Sequence, residues 1–408
     1  MRQSVFSVLI VLALAAACGK GSKTPQGAMF KDDLAFLGRT TKAVVLSESE
    51  NRAQLAVSPD LQGRVMTSTA DGPAGLSFGW INRELIASGQ NNPHMNAFGG
   101  EDRFWLGPEG GQFSIFFKKG DPFDLDHWFT PPPINEGPFD IVSQDRDQIH
   151  FRKAMRLMNY SGATFDLEVN RVVRLLDAPE IGNLAGSLPE DVKMVAFHSD
   201  NQITNTGGNA WAKETGLLSI WILGMFNPSP QTTVVLPFKP GPEADLGPVV
   251  NDAYFGKVPD DRLVIKPGVM FFKGDGAFRS KIGIPPRRAE AFAGSYDAAN
   301  SVLTIVHFSL TGDSTDYVNS MWQTQEDPFA GDAVNSYNDG PASPGAKPLG
   351  PFYELESSSP AAALGPGETM GHVHTTIHFQ GKEEALDRIA GRVLGVSIAE
   401  IKGAFLKK

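Results

Sequence analysis

Gly371-His372-Val373-His374-Thr375-Thr376-Ile377-His378-Phe379 alternates. Successive side chains of an extended segment point to opposite faces. His372, His374 and His378 therefore share one side, while Val373, Ile377 and Phe379 share the other. Phe352-Tyr353-Glu354-Leu355-Glu356 behaves in the same way, with Glu354 and Glu356 on one face and Tyr353 and Leu355 on the opposite one. Each segment is expected to be a strand that buries one side and displays titratable groups on the other.

The pattern continues outward from about residue 43 to residue 379. Short alternating runs are predicted at 43–47, 53–57, 64–69, 112–117, 149–155, 164–176, 217–223, 232–237 and 302–310. Turn chemistry separates them, as in Asp71-Gly72-Pro73, Asn205-Thr206-Gly207-Gly208 and Lys273-Gly274-Asp275-Gly276. No internal repeat accompanies the strands, so a sandwich is expected rather than a propeller or solenoid. Helical spacing is confined to the two ends. Phe30, Leu34 and Leu37 form one stripe, and Leu386, Ile389, Val393 and Leu394 another. Ser397-Ile398-Ala399-Glu400 reads as a capping box. Both helical pieces are expected to pack against the sheet edge. The stretches 130–138 and 339–351 are expected to be long loops, and Arg287-Arg288 a solvated turn.

Composition narrows the functional classes. The chain has 408 residues, 41% hydrophobic and 20% charged, with 43 Gly, 29 Pro, one Cys and a formal net charge of −10. Apolar content on that scale opposes disorder, and the acidic balance opposes nucleic-acid binding. The one long apolar run lies at the N-terminus, where Arg2 precedes Val5–Ala17. It is short for a membrane span and suits a secretory leader. Leu14-Ala15-Ala16-Ala17-Cys18 is similar to the lipobox of bacterial lipoproteins. That likeness implies cleavage of residues 1–17, lipidation of Cys18 and a flexible tether to residue 29. A β domain over 30–380 and a helical segment over 381–408 would follow. The expected address is the bacterial cell envelope, periplasm-facing, on a membrane through the lipid anchor.

Chemistry concentrates in Asn91–Gln112. His94, Glu101, Arg103, Trp105, Glu109 and Gln112 occur there with glycine pairs at 99–100 and 110–111. If residues 101–106 are extended, Glu101, Arg103 and Trp105 share a face. Arg and carboxylates beside an indole suit a sugar, since an aromatic face covers C–H groups and charged forks bind hydroxyls. The second cluster is Glu354, Glu356, His372 and His374, able to supply an acid and a base near neutral pH. A divalent metal on His372-x-His374 plus a carboxylate is a competing reading. No definite cofactor follows from the sequence. The segment 326–339 has oxygen donors for Ca²⁺ but lacks EF-hand spacing, and a solvated loop is favoured there.

Several blocks carry a family likeness. Pro59-Asp60-Leu61-Gln62-Gly63-Arg64-Val65, Gly99–Trp105, Asn205-Thr206-Gly207 with Trp211, and Leu364–Glu368 resemble strands and turns of galactose-mutarotase-like proteins. Residues 79–82, 99–112, 281–297 and 331–340 resemble the DUF6786 family of bacterial lipoproteins. These resemblances imply an all-β, large antiparallel β-supersandwich with short flanking helices and a carbohydrate site on a concave sheet face. They also imply a His acid, at His94, His372 or His374, and a late-strand Glu base, at Glu354 or Glu356. A clear His-x-Tyr-Phe-Asn segment is missing.

The expected function is a membrane-anchored, carbohydrate-active protein with epimerase-, mutarotase- or lyase-type acid/base chemistry. His94, Glu109, Glu354, Glu356, His372 and His374 are the catalytic candidates. Glu101, Arg103, Trp105 and Gln112 are the substrate-binding candidates, with Trp105 as stacking platform. The alternatives are a non-catalytic carbohydrate-binding lipoprotein of glycan uptake or sensing, and a structural envelope protein.

Overall fold

The computed structural model describes residues 27–50, 52–312 and 314–406. The leader, Cys18 and most of the tether lie outside the described residues.

The fold is an antiparallel β-sandwich. A ten-stranded sheet runs in the order 263–266, 269–273, 232–237, 292–297, 302–308, 369–380, 193–205, 164–175, 148–158 and 140–144. A five-stranded sheet runs 280–284, 334–338, 353–358, 219–226 and 103–107. A third sheet joins 44–47, 54–58 and 64–69. Every ladder between these strands is antiparallel.

Alternation positions the layers. In the five-stranded sheet, Phe104, Leu106, Ile220, Ile222, Leu355 and Val334 face inward and are buried. They meet inward-facing Val306 and Phe308 or Ile149, Phe151 and Val169 of the large sheet in two apolar clusters. On the far side of the large sheet, Leu303, Ile305, Ile377 and Phe379 pack against Leu386, Ile389, Leu394, Ile398 and Ile401. The C-terminal helices Glu383–Val393 and Ile398–Gly403 thus cover a sheet face, not an edge. The reason is area, because a two-sided apolar sheet needs a second cover. A third helix on that face, Ala178–Ala185, has an Asp177/Glu180 capping box and was not anticipated. The expected Ser397/Glu400 box is present.

Three expectations fail locally. Residues 112–117 form turns, because Ser114 Oγ donates to the Glu109 carbonyl at 2.5 Å and accepts from Phe116 N–H at 3.0 Å. Such local bonds compete with a ladder. Arg288 is fully buried and donates to the carbonyls of Lys239, Gly241 and Gly247, pinning that loop. The segment 326–339 is no solvated loop, since Val334–Asn338 is an inner strand of the five-stranded sheet.

Candidate functional site

The outward face of the five-stranded sheet is unusually polar for a buried surface. Register sets which residues share it. Arg103 pairs with Leu223 and Trp105 with Trp221; Leu223 pairs with Glu356 and Met225 with Glu354. Glu354 in turn pairs with Tyr337, and Tyr337 with Lys281. Directly opposed residues lie on the same face of a sheet. Five strands therefore place Arg103, Trp105, Trp221, Glu354, Glu356, Tyr337 and Lys281 on one surface. Loops roof it into a cavity of about 390 Å³, to which they add His94, Glu109, Trp128, Arg279, Trp322 and Asp339.

Hydrogen bonds from Arg103 and Lys281 order the floor. Arg103 Nη2 donates to Glu354 Oε1 at 3.2 Å, and its guanidinium lies 4.0 Å from the Trp105 ring centroid. Glu356 Oε2 accepts from Lys281 Nζ and from Trp221 Nε1, each at 2.9 Å. Glu356 is fully buried and lies beneath the cavity instead of lining it. Burial pushes the Glu354 carboxyl up to about 8, opposed by Arg103 and reinforced by the charge of Glu356. Its outcome is a carboxylic acid that keeps its proton at neutral pH. Burial also raises Glu109. For Lys281, burial disfavours the charge, but Glu356 and Glu109 more than offset it and the ammonium is held above its ordinary range.

His94 rests on the Phe129 ring, with centroids 4.3 Å apart, and its Nδ1 donates to the Trp128 carbonyl at 2.6 Å. That bond selects a tautomer with Nε2 as the basic nitrogen. Trp105 has one face taken by Arg103; Trp322, which also lines the cavity, is half-buried and stacks on Trp128 with centroids 5.8 Å apart.

Of the ten sequence candidates, His94, Arg103, Trp105, Glu109 and Glu354 line the cavity, with Glu356 directly below. Glu101 does not share the Arg103 face. The N–H groups of Glu101 and Asp102 both go to the Val65 carbonyl, at 2.7 and 3.4 Å, an irregularity that breaks the alternation before the strand begins at Arg103. The Glu101 carboxylate instead accepts from His378 Nε2 at 2.9 Å and from Ser68 Oγ at 2.8 Å. Gln112 exchanges bonds with the Gln325 backbone at 2.9 Å each way, tying the loop after Glu109 to that after Trp322. It is a brace outside the cavity lining.

His372 and His374 are also removed from the cavity. Both reach Ser357 Oγ at 2.8 Å between the sheets, and Ser357 faces away from its chain neighbour Glu356. Burial drives His372 down to about 3 and His374 to about 4, so both imidazoles are neutral. They supply no acid at neutral pH. Among the described residues no group of three His, Cys, Asp or Glu side chains could hold a metal, so the His372-x-His374 metal reading has no third donor there.

These histidines make acid sensitivity predictable. Their folded pKa values lie below the unfolded value of about 6.5, so unfolded chains take up protons first as pH falls. Stability is expected to fall as pH drops below about 6.5. The decline ends near pH 4 for His374 and near 3 for His372. Glu354, shifted upward, works in the opposite direction between about 4.5 and 8. Urea midpoints at pH 7 and 5 check this, and His374→Asn should flatten the profile.

Sequence reasoning missed Lys281, Arg279, Trp221, Trp322, Tyr337 and Asp339. One signal existed: a lysine interrupting the otherwise small and apolar Lys281-Ile282-Gly283-Ile284 segment.

A family model described as a family of unknown function, DUF6786, matches residues 28–405. No match to a curated protein was found. Among solved structures, the chain is similar to the Slr1438 protein of Synechocystis sp. PCC 6803 at 12% identity and TM-score 0.49, covering 84% of this chain and 96% of that one. It is also similar to a galactose mutarotase-like protein from Lactobacillus casei ATCC 334 at 8% identity and TM-score 0.46, covering 83% and 100%. A galactose mutarotase related enzyme from Lactobacillus acidophilus aligns at 10% identity and TM-score 0.44, covering 84% and 100%. These are likenesses of fold; the chemistry of the site rests on this chain's own residues.

Proposed function

We propose that this chain, which belongs to the DUF6786 family of unknown function, binds a carbohydrate in the cavity on the five-stranded sheet and performs acid/base chemistry on it. One observation carries the reading: a proton-bearing Glu354 held by Arg103 opens into the same cavity as the half-buried indole of Trp322. Indole faces suit the C–H faces of a sugar ring, and buried charged forks suit its hydroxyls. In this reading Glu354 donates a proton, His94 Nε2 accepts one, and Arg103 orients Glu354.

A binding-only reading has support as well. Glu356 is consumed by Lys281 and Trp221, so only one carboxyl of the late-strand pair faces the cavity. Thermal shift over a glycan panel, followed by NMR of each binder, separates the two. A binder converted to product supports the enzyme, a binder left unchanged supports the binding protein, and no binder at all overturns both. Trp322→Ala should weaken binding of any hit by about tenfold.

The lipobox-like segment supports an envelope protein anchored through Cys18. Cys18→Ser is expected to abolish labelling by a radioactive fatty acid and shift the protein into the soluble fraction. Continued labelling would refute the anchor.

A further inference from the structure

We infer that the sugar bound in this cavity carries a negative group, and that Arg279 reads it. The inference rests on the carbohydrate reading above and narrows it to acidic saccharides.

The cationic groups on the wall are not equivalent. Arg103 is occupied by Glu354 and Lys281 by Glu356. Lys347 lies on the rim, exposed, 3.5 Å from Glu84. Arg279 differs from all three. Its guanidinium carbon sits 3.8 Å from the Phe255 ring centroid, and no side-chain hydrogen bond or ion pair to a described residue engages it. Stacking fixes the plane of a guanidinium while leaving its five N–H donors at the edge. A planar fork without an acceptor is the geometry that takes a carboxylate, sulfate or phosphate through two parallel bonds.

Four carboxyls line the cavity: Glu109, Asp126, Asp339 and Glu354. Asp126 is exposed at the mouth. Burial moves the other three toward their proton-bearing forms. Asp339 also already accepts from the Tyr337 hydroxyl at 2.7 Å and from Gly350 N–H at 2.9 Å. Burial lowers the Arg103 guanidinium from its ordinary value, opposed by Glu354, Glu356 and Glu109, without discharging it. Guanidinium groups stay protonated in proteins, and Lys281 is held above its ordinary range. Arg279 is the cation of this wall with no hydrogen-bonded counter-charge among the described residues, Asp339 and Glu109 acting on it only through space, and an anionic group on the ligand would supply one.

Isothermal titration of the full-length protein tests this with galacturonate and glucuronate against galactose and glucose. Glucose 6-sulfate and glucose 6-phosphate identify which anion fits. Acidic sugars are expected to bind at least tenfold tighter than their neutral counterparts, with affinity falling as salt rises. Arg279→Gln should reduce acidic-sugar binding by about 10–100-fold and collapse the preference to near unity. Arg279→Lys, which keeps charge but not the fork, should restore only part of it. Equal binding of neutral and acidic sugars, or a preference that survives Arg279→Gln, overturns the inference and leaves the carbohydrate reading standing. Binding of neither class, by a chain that still melts cooperatively, overturns both.

Discussion

Glu354→Gln is expected to cut sugar turnover by about 10²–10⁴-fold, the usual worth of a positioned general acid, while the chain remains folded. Glu354 keeps its proton to about pH 8 because burial penalises its charged form and Glu356 adds to the penalty, with Arg103 opposing both. Wild-type turnover should therefore fall as pH rises through about 8. Stability carries the same signature. The folded state binds this proton more tightly than the unfolded chain, so stability declines as pH rises from about 4.5 to 8. The amide has no such decline, and Tm against pH should be flatter in the variant. Full turnover in Glu354→Gln would remove Glu354 from the chemistry. An unchanged Tm profile would mean that the carboxyl is ionised at neutral pH.

Arg171→Ala should have the largest effect on stability. Arg171 stands on the large sheet and crosses to the small one, where Nη2 donates to Asp102 Oδ1 at 2.6 Å with both side chains wholly buried. Its Nε donates to the Gly63 carbonyl at 3.1 Å, and Nη1 to Asn201 Oδ1 at 2.5 Å. Ser199 Oγ gives Asp102 a second donor at 2.8 Å. Removing the arginine strands a buried carboxylate, a loss of about 3–5 kcal/mol, a large share of a typical folding free energy of about 5–15 kcal/mol. Asp102 directly precedes Arg103, so the variant should also loosen Arg103 and weaken sugar binding. A paired Asp102→Ala/Arg171→Met variant should recover much of the stability, because no charge is left unpaired. Urea unfolding of the two single variants and the pair measures the coupling. A single variant within 1 kcal/mol of wild type would contradict this account.

How far the site could be read from the chain varies by residue. Glu354 and Glu356 were placed on one face by alternation alone, and their strand keeps that alternation throughout. The same logic put His372, His374 and His378 together, correctly, yet could not say what that face meets. It meets the inner side of the opposing sheet, so His372 and His374, which looked available for catalysis, are buried and neutral. Glu101 escaped the pattern because it and Asp102 both bond to the Val65 carbonyl ahead of the strand that begins at Arg103. Arg279, Lys281 and Tyr337 come from strands or strand ends far along the chain, and no local spacing links them to Arg103.

The sequence by itself determined the sandwich class, the helices at both ends, the Ser397 capping box and the faces of individual strands. Those follow from period and turn chemistry, which are local properties. Tertiary structure alone decided which faces became cavity and which became core. Strand order and sheet-on-sheet packing bring residues hundreds of positions apart into contact, as with Arg103 and Glu354. Burial created by that packing then sets protonation. It makes Glu354 an acid at neutral pH and removes the His372–His374 pair from acid/base work, although each began as an ordinary titratable side chain.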